Sequence, residues 1–338
     1  MFYNISNLNE INNMNNFQQL QQKLGGSVKK HEPLGKYTTL KIGGPADYFF
    51  DAKTTDALAQ AIMAGRGLNL PIFILGGGTN ILIGDRGIRG FVIKNSTHAI
   101  AIRGAKGSRT AGTSKELVFV EAESGVIMNQ LVRFTVEEGF AGLEMQLGLP
   151  GTVGGAVYMN SKWTHPVGYV GDIVYQAKIL TPENEIKEVP KSYFQFAYDR
   201  SSIQKTKDIV LSVVFALRRA DKDALWKIAN ESIAYRRQTQ PQGAKSPGCT
   251  FRNISEAEAL SIPTPNHTTS AGFLIDHAGC KGMHVGDAYV SDVHANFIVN
   301  KGAATASDVV QLIEKIRTMV RDQFGVNLEE EIVRVGEF

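Results

Sequence analysis

Cysteine is nearly absent: Cys249 and Cys280 are the only two in 338 residues. Two thiols without patterned spacing cannot form a disulfide framework, and they point to a reducing cytoplasm. Long apolar runs are also missing. The longest, IVLSVVFAL at residues 209–217, is strand-length and far short of the roughly 20 residues that span a bilayer. No membrane partner is expected. Charge of one sign is missing too: 36 Lys and Arg against 33 Asp and Glu leave +3, too little for a dedicated nucleic-acid binder. The first residues are rich in Asn and Gln, with no basic flank leading into an apolar block. That excludes a secretory signal and predicts a flexible segment over residues 1–30, with a short helix near residues 17–24.

Glycine is in excess. The 34 glycines are roughly one and a half times average usage, and many lie in two clusters. The first is ILGGGTNILIGDRGIRG at residues 74–90; the second is GLEMQLGLPGTVGGAVYMNS at residues 142–161. The first follows a short apolar strand, PIFIL, predicted at residues 71–75. Successive glycines let the backbone turn and aim several N–H groups at one point. Such a nest binds an anion, typically phosphate, and two nests suit a pyrophosphate. The candidate cofactor residues are Gly76, Gly77, Gly78, Thr79 and Asn80 in the first cluster. In the second they are Gly148, Pro150, Gly151, Gly154, Gly155 and Ala156. Neither cluster fits the dinucleotide fingerprint or the P-loop.

The remaining periodicity is mixed. Helices are predicted at residues 54–65, 128–139 and 221–240, and strands at 91–95, 117–124 and in the last ten residues. The clearest helix is TASDVVQLIEKIRTMVRDQFG, with a Thr305/Asp308 capping box, an apolar stripe from Val309 to Phe324 and Gly325 as its stop. At 338 residues two or three domains are expected.

The ordered set YTTLKIGGPADYFF, LGGGTNILIGDRGIRGFVIKN, GLEMQLGLPGTVGGAVYMNS, SPGCTFRN and AGFLIDHAGCKGMHVGDAYVSDVHANFIVN resembles the UDP-N-acetylenolpyruvoylglucosamine reductase family from about His31 to Gly336. The spacing of about fifty residues between Arg200 and Cys249 resembles the family's shorter type, which lacks an inserted substrate-closing loop. The resemblance implies an α+β fold: a two-part FAD-binding region of the PCMH/vanillyl-alcohol-oxidase type plus a smaller α+β substrate-binding domain. It implies FAD-binding subdomains at 31–92 with 327–338 and at 93–219, and the substrate-binding domain at 220–326. It also implies FAD as cofactor, NADPH as reductant and an enolpyruvyl sugar nucleotide as substrate, in a cytoplasmic monomer. No metal site is assigned.

The resemblance further implies three catalytic groups. The family's proton donor is the serine of G-S-x-F-K-N; here Cys249 stands there, in Gly248-Cys249-Thr250-Phe251-Arg252-Asn253. A thiol with a pKa of about 8.5 is protonated at neutral pH, yet releases its proton far more readily than an alcohol. The family's glutamate frame L-x-x-E-[VI] selects Glu331 over Glu329 and Glu330. Its Tyr-Arg pair meets Tyr198-Asp199-Arg200 here, so the arginine position holds Asp199 and Arg200 becomes the candidate cation. Asn253, His294 and Tyr198 are the implied substrate contacts, and Cys280 is read as packing. The competing expectations are an FAD-dependent oxidase of the same fold acting on another substrate, and a degenerate homologue that binds cofactor without turnover.

Overall fold

The computed structural model of this chain describes residues 15–110, 113–164 and 167–338; of the flexible segment expected at residues 1–30, residues 1–14 lie outside them, whereas the rest holds the helix Asn16–Lys23, anchored by buried Leu20, and the start of the strand Lys29–Pro33. The chain divides into two compact units. One comprises Ala46–Gly76 and Arg89–Ile228 with the residues up to Glu32. The other comprises Pro33–Pro45, Gly77–Ile88 and Ala229–Phe338.

The first unit holds two sheets. The smaller has the strand order Lys29–Pro33, Pro45–Ala52, Ile88–Asn95, Ile72–Leu75, with the last pair parallel. The helix Thr55–Gly67 begins where predicted, because the Thr54 side chain accepts the Ala57 N–H. Its Leu58, Ala61 and Ile62 are fully buried, in one apolar cluster with Phe91 and Ile93. The predicted N-terminal helix is present as Asn16–Lys23 and adds Leu20 to the same cluster. The apolar strand predicted at residues 71–75 is present as Ile72–Leu75, with only Leu75 fully buried.

The larger sheet is antiparallel. The apolar run near residue 209 becomes its central strand, Ile209–Arg219, between Thr113–Glu123 and Val174–Leu180. The strand expected from residue 117 starts earlier, at Thr113. It pairs along its length with Ile100–Thr110, a ladder whose polar residues give no apolar alternation to read. The helix Met128–Glu137 buries Leu131, Val132, Thr135 and Val136, the face its periodicity predicts.

The second unit is built around the helix Ala306–Phe324. Its Thr305/Asp308 capping box is formed and Gly325 closes it in the left-handed conformation. The Asp85 carboxylate adds bonds to the N–H groups of Ala306 (2.7 Å) and Ser307 (3.0 Å) at the helix start. The helix packs with a three-stranded antiparallel sheet, His284–Val285, Ala288–Val290 and Ile298–Asn300. The C-terminal strand, Val333–Val335, pairs in parallel with Ile81–Ile83. Leu40, Ile42 and Leu82 join Leu312, Ile313 and Ile316 in one core. Among the described residues, no helix is long and apolar enough to cross a membrane.

Candidate active site

The two glycine clusters differ in how their backbones are used. Within the first unit, a Cβ added to Gly76 would lie 2.7 Å from Thr152 Oγ1. The start of the first cluster therefore lies against the second, and glycine is required by that approach. Of the three successive glycines only Gly78 has positive φ, at +62°, and a side chain there would strike the Tyr37 carbonyl. The N–H groups of Gly77, Gly78 and Thr79 find no acceptor among the described residues. Three successive unengaged donors form a nest that fits a phosphate group.

In the second cluster most N–H groups are already bonded, unlike the second open nest the sequence predicts. Gly148 donates to Asn129 Oδ1 (2.6 Å), Gly154 to the Ser124 carbonyl (2.8 Å), Gly155 to Thr152 Oγ1 (3.4 Å) and Ala156 to the Thr152 carbonyl (2.8 Å). Gly151, after Pro150, and Thr152 keep N–H groups with no acceptor among the described residues. This cluster mainly fixes the start of the helix Val153–Met159 and presents a narrower donor set.

In the second unit, Cys249, Glu331 and Asn80 come together through the backbone. The Thr250 carbonyl, next to Cys249, accepts the Glu331 N–H at 2.8 Å. The Glu331 carbonyl accepts from Asn80 Nδ2 at 3.2 Å. On its other side Thr250 donates to the Asn296 carbonyl (2.7 Å), and the Asn296 side chain bonds both the N–H and the carbonyl of Phe251. The Cys249 turn is thus an extended segment clamped between residues 296–297 and 329–331. Asn296 is a clamp the sequence analysis missed; its two long-range backbone bonds leave no local pattern.

The three neighbouring glutamates are distinguished by their partners. Glu330 is engaged by Arg317 (2.6 Å) and Arg334 (2.7 and 2.8 Å). Glu329 is exposed, 3.6 Å from Arg252. Glu331 is half-buried, and its backbone joins the Cys249 turn to Asn80.

Cys249 is half-buried, whereas Cys280 is fully buried, 3.9 Å from Met319 Sδ. Burial pushes the Cys280 thiol up to about 11, as expected for a packing residue. Burial also draws the Arg236 guanidinium down to about 10, a shift opposed by the nearby Cys249 sulfur. Arg236 therefore remains a cation at neutral pH, electrostatically coupled to Cys249. Asn253 is exposed, and its Oδ1 accepts the Ala271 N–H at 3.2 Å. His294 is half-buried: Nδ1 accepts the Asn296 N–H at 3.2 Å and the ring lies 4.9 Å from Phe297. Burial holds its pKa below the ordinary histidine value, so it is a neutral ring that supports the Asn296 clamp.

Tyr198 and Asp199 form a two-residue turn in the first unit, closed by paired bonds between Ala197 and Arg200 (3.0 and 3.2 Å). Asp199 has φ +52°, a conformation Asp tolerates better than most residues. The turn is tied to the end of the helix Val153–Met159. Asn160 donates to Ala197, Ser201 to the Tyr158 carbonyl, and Gln204 to the carbonyls of both Tyr158 and Asp199. Asp199 is buried and Arg200 is exposed. The sequence analysis missed Lys162, whose Nζ lies 3.4 Å from the Tyr198 ring centroid and 4.0 Å from Asp199 Oδ1.

Open N–H groups in one glycine cluster, a second cluster packed against its start and this α+β scaffold suit a phosphate-bearing cofactor, and the family match makes the chain an FAD-dependent flavoprotein. A family model described as an FAD binding domain matches residues 46–190. A VAO-type flavoprotein structure from Myceliophthora thermophila C1 shares the fold, with a TM-score of 0.55 at 11% identity over 91% of this chain and 84% of its own. The remainder of the chain narrows the class. Residues 240–335 match the C-terminal domain of UDP-N-acetylenolpyruvoylglucosamine reductase. Reductases of that name are 36% identical in Desulfosudis oleivorans (92% of this chain, 95% of the relative) and 37% identical in Heliobacterium modesticaldum (94% of each). The solved reductase from Thermus caldophilus superposes with a TM-score of 0.71 at 29% identity, over 91% of this chain and 98% of its own. The chain belongs to the UDP-N-acetylenolpyruvoylglucosamine reductase family.

Proposed function

We propose that this chain reduces the enolpyruvyl group of UDP-N-acetylglucosamine enolpyruvate to the lactyl ether of UDP-N-acetylmuramate, a precursor of peptidoglycan. The carbon–carbon double bond gains a hydride at its methylene carbon and a proton at the ether-bearing carbon, while NADPH is oxidised to NADP+. FAD, when bound, supplies the hydride chemistry. Its pyrophosphate fits the nest formed by Gly77, Gly78 and Thr79.

The protein's part is to hold the substrate, stabilise negative charge and deliver one proton. Cys249 is the proton donor. Its clamped backbone fixes the position of the sulfur, and Arg236 nearby stabilises the thiolate left after transfer. Glu331 sits one backbone hydrogen bond from the Cys249 turn and acts on the same reacting carbons. Asn253 and Tyr198 contact the substrate, and His294 backs the clamp. The family motif offers Arg200 as the candidate catalytic arginine at the Tyr198 turn, where its side chain is exposed. The proposed division of labour gives FAD binding to residues 31–92 with 327–338 and to 93–219, and substrate binding to 220–326. A small-molecule enzyme that draws on NADPH and a nucleotide sugar belongs in the cytoplasm, and we assign it as a monomer.

The observation that carries this reading is the chain of bonds from Thr250 through Glu331 to Asn80. It brings the proton donor's turn, the glutamate and the first glycine cluster together. An FAD oxidase of the same fold has no need of that arrangement. The test is anaerobic reduction of bound flavin by NADPH, followed by reoxidation. The sugar nucleotide should reoxidise it faster than air-saturated buffer; the reverse order sinks the assignment.

A further inference from the structure

We propose that Lys162, rather than Arg200, supplies the fixed positive charge that holds the substrate's carboxylate at the Tyr198 turn. The inference rests on the reductase reading above.

The turn's sequence inverts the charge expected at the position after Tyr198, because Asp199 stands there. Burial of that carboxylate requires a nearby cation, since an isolated buried charge is costly. Arg200 does not provide it. Its N–H and carbonyl close the turn onto Ala197, and its exposed side chain makes no hydrogen bond or ion pair among the described residues. The cation at the turn is Lys162. Its side chain is only 18% exposed, and its Nζ rests over the Tyr198 ring at 3.4 Å in a cation–π contact.

The distance to Asp199 decides what this lysine can do. At 4.0 Å the ion pair is too long to be a hydrogen bond. Asp199 therefore attracts the ammonium without occupying any of its three donors. Lys162 has no hydrogen-bond acceptor among the described residues. A mostly buried ammonium, held in place on two sides with its donors unengaged, is arranged to receive an anion. The enolpyruvyl carboxylate is the anion this reaction brings. A lysine binds it as a point charge where an arginine would bind it in a two-pronged fork.

The test begins with calorimetry on the flavin-loaded protein, using the product and UDP-N-acetylglucosamine, which lacks the lactyl carboxylate. Lys162→Met should weaken the product about 10- to 100-fold while leaving UDP-N-acetylglucosamine binding within about twofold. Lys162→Arg should restore much of the loss, and Arg200→Ala should change product binding by less than about threefold. In turnover, Lys162→Met should lower kcat/KM for the sugar nucleotide with NADPH-driven flavin reduction intact. Equal loss for both nucleotides, or a collapse in Arg200→Ala with Lys162→Met unaffected, overturns the proposal. If the unmutated protein's reduced flavin is not reoxidised by the sugar nucleotide, the reductase reading itself falls and takes this inference with it.

Discussion

At the scale of single residues, the chain's two cysteines have opposite surroundings. Cys249 is half-buried and electrostatically coupled to Arg236, whereas Cys280 is fully buried with a thiol raised to about 11. Iodoacetamide should therefore modify one thiol quickly and the other only on unfolding. Bound sugar nucleotide should slow the fast phase, and Cys249→Ser should remove it while leaving a working enzyme. Cys249→Ala should preserve flavin reduction by NADPH and lower substrate reduction by about 10²- to 10⁴-fold, the usual contribution of a positioned acid; stopped-flow absorbance separates the two steps. His294 gives a pH signature. Its folded-state pKa lies below the ordinary value of 6.5, so the unfolded chain takes up the proton first as pH falls. The stability due to its neutral burial is present above pH 6.5 and is lost as pH drops below that value toward the folded pKa. Denaturant midpoints should fall more over that window in the unmutated protein than in His294→Gln. As candidates, Cys249 and Glu331 were legible because each stands in a short frame read against a family. Lys162 was not: it opens the short strand Lys162–Thr164, 37 residues before Asp199, and only tertiary folding brings the two together.

Among elements, the helix Ala306–Phe324 was the most legible, since its cap, stripe and stop are all local. The sequence did not show that a residue of another segment also caps it. Asp85 places a carboxylate on the N–H groups of Ala306 and Ser307, where the helix dipole favours negative charge. Asp85→Ala should cost about 1 kcal/mol and Asp85→Asn less, read as a fall in denaturant midpoint at unchanged slope. The ladder joining Ile100–Thr110 to Thr113–Glu123 was only half legible. Its outer part is polar, and cross-strand pairing rather than local preference makes it a strand. The glycine clusters were legible as loops, but whether their N–H groups were open or bonded depended on Asn129, Ser124 and Thr152, a tertiary matter.

At the scale of the whole molecule, the second unit draws on three stretches of chain, and this was the least legible feature. A parallel pair formed across about 250 residues, Ile81–Ile83 with Val333–Val335, has no short-range signature. Leu40, Ile42 and Leu82 belong to the core of the C-terminal helix although they lie far earlier in the chain. A fragment of residues 229–338 lacks all three and the parallel partner strand. It should show no cooperative thermal unfolding by circular dichroism, whereas the full chain should. The same interleaving sets an order on synthesis. On the ribosome, every segment of the first unit has been synthesised by residue 228, and it can fold while the rest is being made. Residues 33–45 and 77–88 must then wait, their apolar side chains without a core, while about a hundred further residues are added. At about 5–20 residues per second that exposure lasts several seconds to some twenty. During synthesis this is the interval in which the nascent chain is most open to chaperones and to aggregation.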